Sequence, residues 1–371
     1  MTNHEFYMDL ALSNARAMKG QTDPNPLVGS VIVNGNRIVG VGTHLKAGEP
    51  HAEIHAIQMA GALSKGGTIY VTLEPCSHHG RTGPCAEAIV RAGIKKAVIA
   101  TLDPNPVVSG NGVSILKEAG IEVITGVREE ESQKMNEVFN KFIVKKKPFV
   151  TLKSGITLDG KVATHSFSSK WITSEEARLD VHHLRNENMA ILVGINTALK
   201  DNPALTTRIP NGRNPIRVVL DSTLKIPLDY QLITDKQAET WIFTSQNCDN
   251  AKRKTLESLG INVFETSSEE SVDPNEVVQL LGEKGISSVL IEGGGNVNAS
   301  FLENKLIDKV VLYFAPKLIG GRDAPTFLEG TGIDQVKDAV ELTDTDIIKI
   351  GRDFKFTGYP IYADKTGKNA D

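Results

Sequence analysis

A histidine followed two residues later by a glutamate, His51-Ala52-Glu53, and two cysteines each preceded by proline, Pro75-Cys76 and Pro84-Cys85, are the residues of this sequence best suited to chemistry. One imidazole and two thiols make three ligands for a zinc ion. That leaves the fourth tetrahedral position open, as in a catalytic site, whereas structural sites are closed by four protein ligands. Glu53 falls on the first turn of a helix that Pro50 opens. There it is close to the ion without being needed as a ligand, and suits proton shuttling. His55 raises the metalloprotease pattern H-E-x-x-H, which fails because Glu53 stands two residues beyond His51 rather than one. His55 reads as a helix histidine, and the mid-loop His78 and His79 rank below the cysteines as ligands. For either cysteine the bland reading is a small buried hydrophobe. Both border helix starts, however, where unpaired N–H groups stabilise a thiolate.

The elements that position these groups alternate. Residues 4–19 read as a helix with Phe6, Tyr7, Leu10, Ala11 and Met18 on one face, broken at Asp23-Pro24-Asn25-Pro26. Strands 28–33 and 37–43 follow, joined by the hairpin signal Asn34-Gly35-Asn36. After the His51 helix come strand 68–73, a helix near 84–92, strand 97–101, helix 112–119, strand 121–124 and helix 129–140. Strand–helix alternation implies a mostly parallel sheet covered by helices. Asp103-Pro104-Asn105-Pro106 follows a strand C-terminus, where open α/β sheets bind ligands, and that favours a place at the site mouth over a plain surface turn.

Lys145-Lys146-Lys147-Pro148 reads as a solvated linker, and at Phe149 the pattern restarts with strand 149–154 and the turn Leu158-Asp159-Gly160-Lys161. Ser174 is placed to cap a helix ending at Arg185. Strands near 190–193, 217–220, 240–243, 262–264, 288–291 and 310–315 follow, with helices at 250–259, 275–283 and 297–304. Residues 347–356 return as an antiparallel pair, and the polar tail from Asp364 is expected to be disordered. The glycine-rich turn Glu292-Gly293-Gly294-Gly295-Asn296 lets backbone N–H groups approach a phosphate. No G-x-G-x-x-G is present, so a Rossmann cofactor domain is not supported. Arg185 and Arg208 have the guanidinium geometry to clamp a phosphate.

Composition narrows the class. With 371 residues, two domains are the natural expectation: 1–146, 147–363 and a tail at 364–371. The charge is 41 − 45 = −4, which offers no basic field for nucleic acid. No apolar run suits a membrane helix and no secretion signal opens the chain. Three cysteines argue against a disulfide framework and for a reducing, cytoplasmic location.

H-x-E followed by P-C-x-x-C marks zinc nucleobase deaminases, but here Ser77 to Pro84, eight residues, separate the cysteines. With that spacing, His51-Ala52-Glu53, Glu74-Pro75-Cys76-Ser77-His78, Thr82-Gly83-Pro84-Cys85-Ala86 and Asp103-Pro104-Asn105-Pro106 resemble the deaminase half of the bifunctional riboflavin-biosynthesis deaminase–reductases. The stretch opening at Phe149 resembles their reductase half. The resemblance implies a cytidine-deaminase-like three-layer α/β/α domain followed by a dihydrofolate-reductase-like α/β domain. It implies zinc on His51, Cys76 and Cys85, Glu53 as catalytic acid and base, and NADPH as the second cofactor. It puts Asn25, His44, Arg81, Asp103 and Asn105 at the first substrate site. Ser169, Arg185, Leu205, Arg208 and Glu292 surround the second. Gly155, Trp171, Thr197, Asp201, Ser222, Gly294, Gly295 and Asn296 are put near the cofactor. The substrate implied is a small phosphorylated pyrimidine, and the family's members are homo-oligomers. Two competing readings are a zinc deaminase of another free base or nucleotide with a non-catalytic second half, and, more remotely, a structural zinc site in a regulatory protein.

Overall fold

A computed structural model describes residues 3–77, 83–106 and 108–362. The chain divides into two compact units, Met1–Lys146 and Lys147–Asp371. Among the described residues no helix is long and apolar enough to cross a membrane.

The first unit runs α1 (Asn3–Arg16), β1 (Gly29–Asn34), β2 (Arg37–Thr43), α2 (Ala52–Ala60), β3 (Thr68–Leu73), α3 (Cys85–Arg91), β4 (Lys96–Thr101), α4 (Asn111–Glu118), β5 (Glu122–Thr125), α5 (Glu129–Met135) and α6 (Glu137–Lys145). Its sheet has the order β2-β1-β3-β4-β5, antiparallel on either side of β1 and parallel from β3 to β5. Alternate residues of each strand face opposite ways. Val31, Val33, Tyr70 and Val98 pack with Met8 and Leu12 of α1, while Ile32, Ile69, Val71 and Ile99 pack with Ala56, Ile89 and Leu116 of α2, α3 and α4. Helices on both faces make three layers. Glycines on β2 bring α2 down onto the sheet edge: a Cβ on Gly40 would lie 2.2 Å from the Ala56 carbonyl oxygen, and one on Gly42 2.0 Å from that of Ala52. This close seat fixes the start of α2, and with it His51 and Glu53.

Several sequence expectations shift here. The buried stripe of α1 is Met8, Ala11, Leu12 and Ala15, and Phe6 points outward at 55% exposure. The helix expected over 129–140 is two helices, parted at Asn136. The side chain of Asn136 leaves the helical pattern to accept from the Leu27 N–H at 2.8 Å and donate to the Leu27 carbonyl at 3.0 Å. The second of these helices runs on to Lys145 and stops at Lys146 in a left-handed conformation, so the supposed linker is partly helical. The tail from Asp364 lies outside the described residues.

The second unit runs β6 (Phe149–Thr157), α7 (Glu175–Glu187), β7 (Ala190–Gly194), α8 (Ile195–Asp201), β8 (Ile216–Leu220), α9 (Gln231–Thr234), β9 (Thr240–Thr244), α10 (Asn250–Ser258), β10 (Asn262–Glu265), α11 (Pro274–Glu283), β11 (Ser288–Ile291), α12 (Gly295–Glu303), β12 (Lys309–Ala315), β13 (Glu341–Ile350) and β14 (Asp353–Ile361). The sheet order is β10-β9-β8-β7-β11-β6-β12-β14-β13, parallel from β10 to β12 and antiparallel at the β14 and β13 edge. Leu192, Val218, Phe243 and Ile291 pack with Val277 and Leu281 of α11 and Phe301 of α12. Ile191, Val193, Val219 and Ile242 pack on the other face with Ala198, Leu232 and Leu256. As its side-chain chemistry requires, Ser174 caps α7 by accepting from the Ala177 N–H at 3.2 Å. The stretch after β7, which carries no side-chain cap, forms α8 directly. The terminal hairpin is longer than the 347–356 pattern suggested and turns at Gly351, where φ is +57°.

Candidate functional site

Three separate elements deliver the metal ligands. His51 immediately precedes α2, Cys85 opens α3, and Cys76 lies just beyond the end of β3. His51 Nδ1 is 3.6 Å from Cys76 Sγ and 3.3 Å from Cys85 Sγ, and the three ligand atoms all lie within 4.8 Å of one another. Tetrahedral zinc, with bonds of about 2.3 Å to sulfur and about 2.0 Å to nitrogen, separates an N and an S ligand by about 3.5 Å. The donor set therefore fits the ion in both chemistry and span. His55, with its Nε2 buried, is not part of the cluster.

The electrostatics point the same way. The Cys76 thiol drops to about 4, chiefly because the Cys85 thiol donates to it, with His51 and the Cys85 backbone N–H (3.3 Å) adding. Cys85 keeps the proton of the pair, since its hydrogen bond to Cys76 and its burial push it upward. The pair thus favours one thiolate, the form a zinc ligand takes. Glu53 is 3% exposed, and its Oε2 has no hydrogen-bond partner among the described residues. Burial raises its carboxyl to about 7, the range a general acid and base needs.

Asn25 and His44 stand beside this cluster. His44 Nδ1 faces the Pro50 carbonyl at 3.3 Å and so carries the proton, leaving Nε2 to accept from Asn25 Nδ2 at 3.1 Å. Its ring meets that of His51 edge to face, 5.4 Å between centroids. Burial lowers the pKa of His44, so the neutral ring is favoured. Asp103 and Asn105 sit in the loop after β4, where Asp103 Oδ1 accepts from the Asn105 N–H at 2.8 Å. Arg81, His78 and His79 lie outside the described residues.

In the second unit the expected residues gather at the C-terminal ends of the parallel strands. Glu292 follows β11 and lies between two cations with its side chain 11% exposed. Arg185 grips it with two parallel bonds, 2.8 and 3.1 Å, and Lys153 from β6 adds a third at 3.2 Å. Burial alone would raise the Glu292 pKa, but Arg185 and then Lys153 more than offset it and hold the carboxyl far below its usual range. The two arginines expected to clamp a phosphate are placed differently. Arg185 is committed to Glu292 and, through Nη1, to the Thr206 carbonyl at 2.9 Å. Arg208 is exposed and has no hydrogen bond or ion pair to a described residue. It is near enough to His182, as are Arg185 and Lys153, to help hold that imidazole down at about 4, after burial as the larger cause.

The glycine turn after β11 is required by close approach. A Cβ on Gly293 would meet Val297 at 2.9 Å, and one on Gly295 would meet the Thr326 carbonyl oxygen at 2.7 Å. A Cβ on Gly294 would lie 3.8 Å from Thr197 Oγ1, so the start of α12, which carries Asn296, is near the first turn of α8. Gly155 on β6 packs on Thr173. Trp171 is 60% exposed, stacked under Arg178 and anchored by Lys317, which donates to its carbonyl. Lys200 lies over Phe167 and so brings the loop bearing Ser169 to the end of α8, where Asp201 is exposed. Ser222 is occupied structurally, its Oγ accepting from the Val272 N–H at 3.2 Å. Leu205 is buried in a left-handed conformation. The sequence reading missed Lys153, whose charge on a buried strand was the available signal. It also missed His182, three residues before Arg185 on α7.

One unit thus carries a Cys/His metal cluster over a mixed sheet, and the other a mostly parallel sheet with a glycine turn at a strand end: a zinc deaminase joined to a reductase. Residues 1–101 match the cytidine and deoxycytidylate deaminase zinc-binding region, and residues 148–356 match the RibD C-terminal domain. The chain is 48% identical to the riboflavin biosynthesis protein RibD of Bacillus amyloliquefaciens, over 99% of this chain and 98% of that one. It superposes on Acinetobacter baumannii RibD with a TM-score of 0.88 at 36% identity, covering 97% and 99% of the two chains. The corresponding values are 0.83, 38%, 96% and 98% for the Thermotoga maritima diaminohydroxyphosphoribosylaminopyrimidine deaminase/5-amino-6-(5-phosphoribosylamino)uracil reductase. The chain belongs to the RibD family of bifunctional riboflavin-biosynthesis enzymes. It is a deaminase with zinc as its metal and a reductase with NADPH as its cofactor. A second half without catalysis is not favoured.

Proposed function

We propose that residues 1–146 hydrolyse the 2-amino group of 2,5-diamino-6-(5-phosphoribosylamino)pyrimidin-4(3H)-one, and that residues 147–363 then reduce its ribosyl group to a ribityl chain, with 364–371 as a tail. The observation that carries the reading is the orphaned Oε2 of buried Glu53 beside His51, Cys76 and Cys85. Zinc held by those three residues supplies a water acidified toward neutrality. Glu53 takes a proton from the attacking water and passes it to the ring nitrogen. It then takes the second proton from the new C2 hydroxyl and gives it to the leaving amine, so that the C–N bond breaks, ammonia departs and a carbonyl remains at C2. Asn25 and the neutral His44 hold the pyrimidine, with Asp103 and Asn105 across the site mouth. Arg81 is assigned to the same substrate.

In the second step bound NADPH would supply the hydride that turns the C1′–nitrogen double bond of the ring-opened sugar into an amine, with a proton taken up at the nitrogen. The protein's part is orientation. Gly155, Trp171, Thr197, Asp201, Ser222, Gly294, Gly295 and Asn296 seat the cofactor, and the close glycine turn after β11 supports that seat. Ser169, Leu205, Arg185 and Glu292 shape the substrate pocket, and Arg208 takes the phosphate. The free thiols suit a cytoplasmic, reducing compartment, and the family resemblance supports a homo-oligomer.

A coupled assay on the full chain tests this. Ammonia release should precede NADPH oxidation. A chelator should stop the first, yet leave the second intact when the deaminated pyrimidinedione is supplied directly. Ammonia release that survives full metal removal, or no NADPH consumption with the deaminated compound, would overturn it.

A further inference from the structure

Glu74 is a buried carboxylate, 6% exposed, that neither the metal cluster nor the proton shuttle uses. It is two residues before Cys76, at the end of β3, and its own N–H is fixed on the Thr101 carbonyl at 2.9 Å. Its side chain reaches across to the next strand's loop and takes three backbone N–H groups. Oε2 accepts from Asp103 at 3.1 Å and from Gly110 at 2.9 Å, and Oε1 accepts from Val113 at 3.2 Å. Val113 is the third residue of α4, and Gly110, which immediately precedes that helix at the capping position, has no side chain to cap it. Glu74 therefore does from a neighbouring strand what a local Ser or Asp would do, and its charge suits the positive end of the helix. The seat is tight, because a Cβ on Gly112 would come 2.0 Å from the Pro75 carbonyl oxygen and 3.2 Å from Glu74 itself. One side chain thus ties both ends of the 103–110 loop to the turn that carries Cys76.

We infer that Glu74 is a positioning residue for deamination: it holds Asp103 and Asn105 in register with the metal turn, so that the pyrimidine is presented at the right place over Glu53. This rests on the reading that the 103–105 loop touches substrate. A carboxylate is required because three N–H groups converge on two acceptor oxygens. The amide of a glutamine keeps one acceptor and turns the other corner into a donor facing N–H groups.

The test uses the full-length enzyme and the diaminopyrimidinone substrate, comparing Glu74→Gln, Asp103→Ala and the double variant. Glu74→Gln should raise KM for deamination about tenfold, the size of effect expected when buried N–H groups lose a charged acceptor. Zinc content and reductase turnover should stay at wild-type levels, and kcat should change far less than KM. Asp103→Ala should also raise KM, and adding Glu74→Gln to it should cost little more, since both act through one loop. If Asp103→Ala leaves KM in place, the substrate role of the loop fails and the inference with it. If Asp103→Ala raises KM while Glu74→Gln leaves it unmoved, or lowers zinc content instead, the inference alone is overturned. Should Glu74→Gln not fold, Glu74→Asp, which keeps the charge and withdraws it by one methylene, is judged by the same outcomes.

Discussion

The two sites treat buried charge in opposite ways. In the first unit the reactive groups are left incomplete: Glu53 Oε2 has no partner among the described residues, and Cys76 and Cys85 share one proton. In the second unit the buried carboxylate is saturated, with Glu292 held by Arg185 and Lys153 through three bonds. The contrast follows from who does the chemistry. Hydrolysis needs protons moved by the protein's own groups, so those groups must have unspent hydrogen-bonding capacity and shifted pKa values. Hydride transfer is the cofactor's chemistry, and the protein needs only a rigid, correctly charged cradle.

The sharpest way to break this contrast is Glu53→Gln. Removing a general acid and base costs about 10²–10⁴ in rate, so deamination should fall by that factor while zinc content and reduction are unchanged. Stability should change little, since the substitution keeps the shape of a buried group whose Oε2 has no hydrogen-bond partner among the described residues; the melting temperature should stay level or rise. Near-normal ammonia release by this variant would take Glu53 out of the mechanism, and a large loss of stability would mean its carboxylate is structurally paired after all.

The first site was far more legible in the sequence than the second. His51, Glu53, Cys76 and Cys85 sit in short local patterns whose residue types admit few other chemistries, and local backbone signals place His51, Glu53 and Cys85 at helix starts, whereas Cys76 follows the end of β3. The strand-and-helix alternation was legible for the same reason, because hydrophobic periodicity is local. What escaped was non-local. Asn136 breaks a helix only because Leu27, 109 residues earlier, offers it a backbone partner. Arg185 reads as a free surface cation until Glu292, 107 residues away, is brought beside it. Lys153 and Glu74 likewise gain their roles from partners on other strands. Phe6 was placed inward by spacing that fits a helix face, but the α1 stripe that fills the sheet is turned toward Met8 and Leu12.

A second perturbation tests the saturated site. Glu292→Gln leaves Arg185 and Lys153 with unmatched buried charge, which costs about 3–5 kcal/mol when one partner of a buried pair is removed. Urea unfolding followed at neutral pH should show the second unit destabilised by that order, with ammonia release from the first unit retained. The sign of the pH dependence is fixed by the lowered pKa of Glu292. A depressed carboxyl contributes stability that is complete above its unfolded value, about 4.3, and is lost as pH falls below it. The stability gap between wild type and variant should therefore be flat from pH 8 to 5 and narrow in stronger acid. A loss below about 1 kcal/mol, the scale of an exposed pair, would show that the Glu292 cluster is solvated and would erase the contrast.

Arg208 gives the smallest expected effect, and the finest distinction within the second site. Unlike Arg185 it is exposed and has no hydrogen bond or ion pair to a described residue, so removing it leaves no buried charge unpaired. Arg208→Ala should leave unfolding midpoints within the range of an ordinary surface change, about 0.5 kcal/mol. Its cost should instead appear on substrate. Losing one charged hydrogen-bond donor to a phosphate is worth about 1.5–3 kcal/mol, or roughly ten- to a hundredfold in KM for the phosphorylated pyrimidine. The kcat for reduction should be little changed, because such a contact is present equally in the ground and transition states. Deamination should be unaffected. The dephosphorylated substrate supplies the control: it should bind wild type and Arg208→Ala alike. An unchanged KM for the phosphorylated compound would remove Arg208 from the phosphate site. An equal loss with both compounds would mean that the arginine shapes the pocket rather than reading the charge.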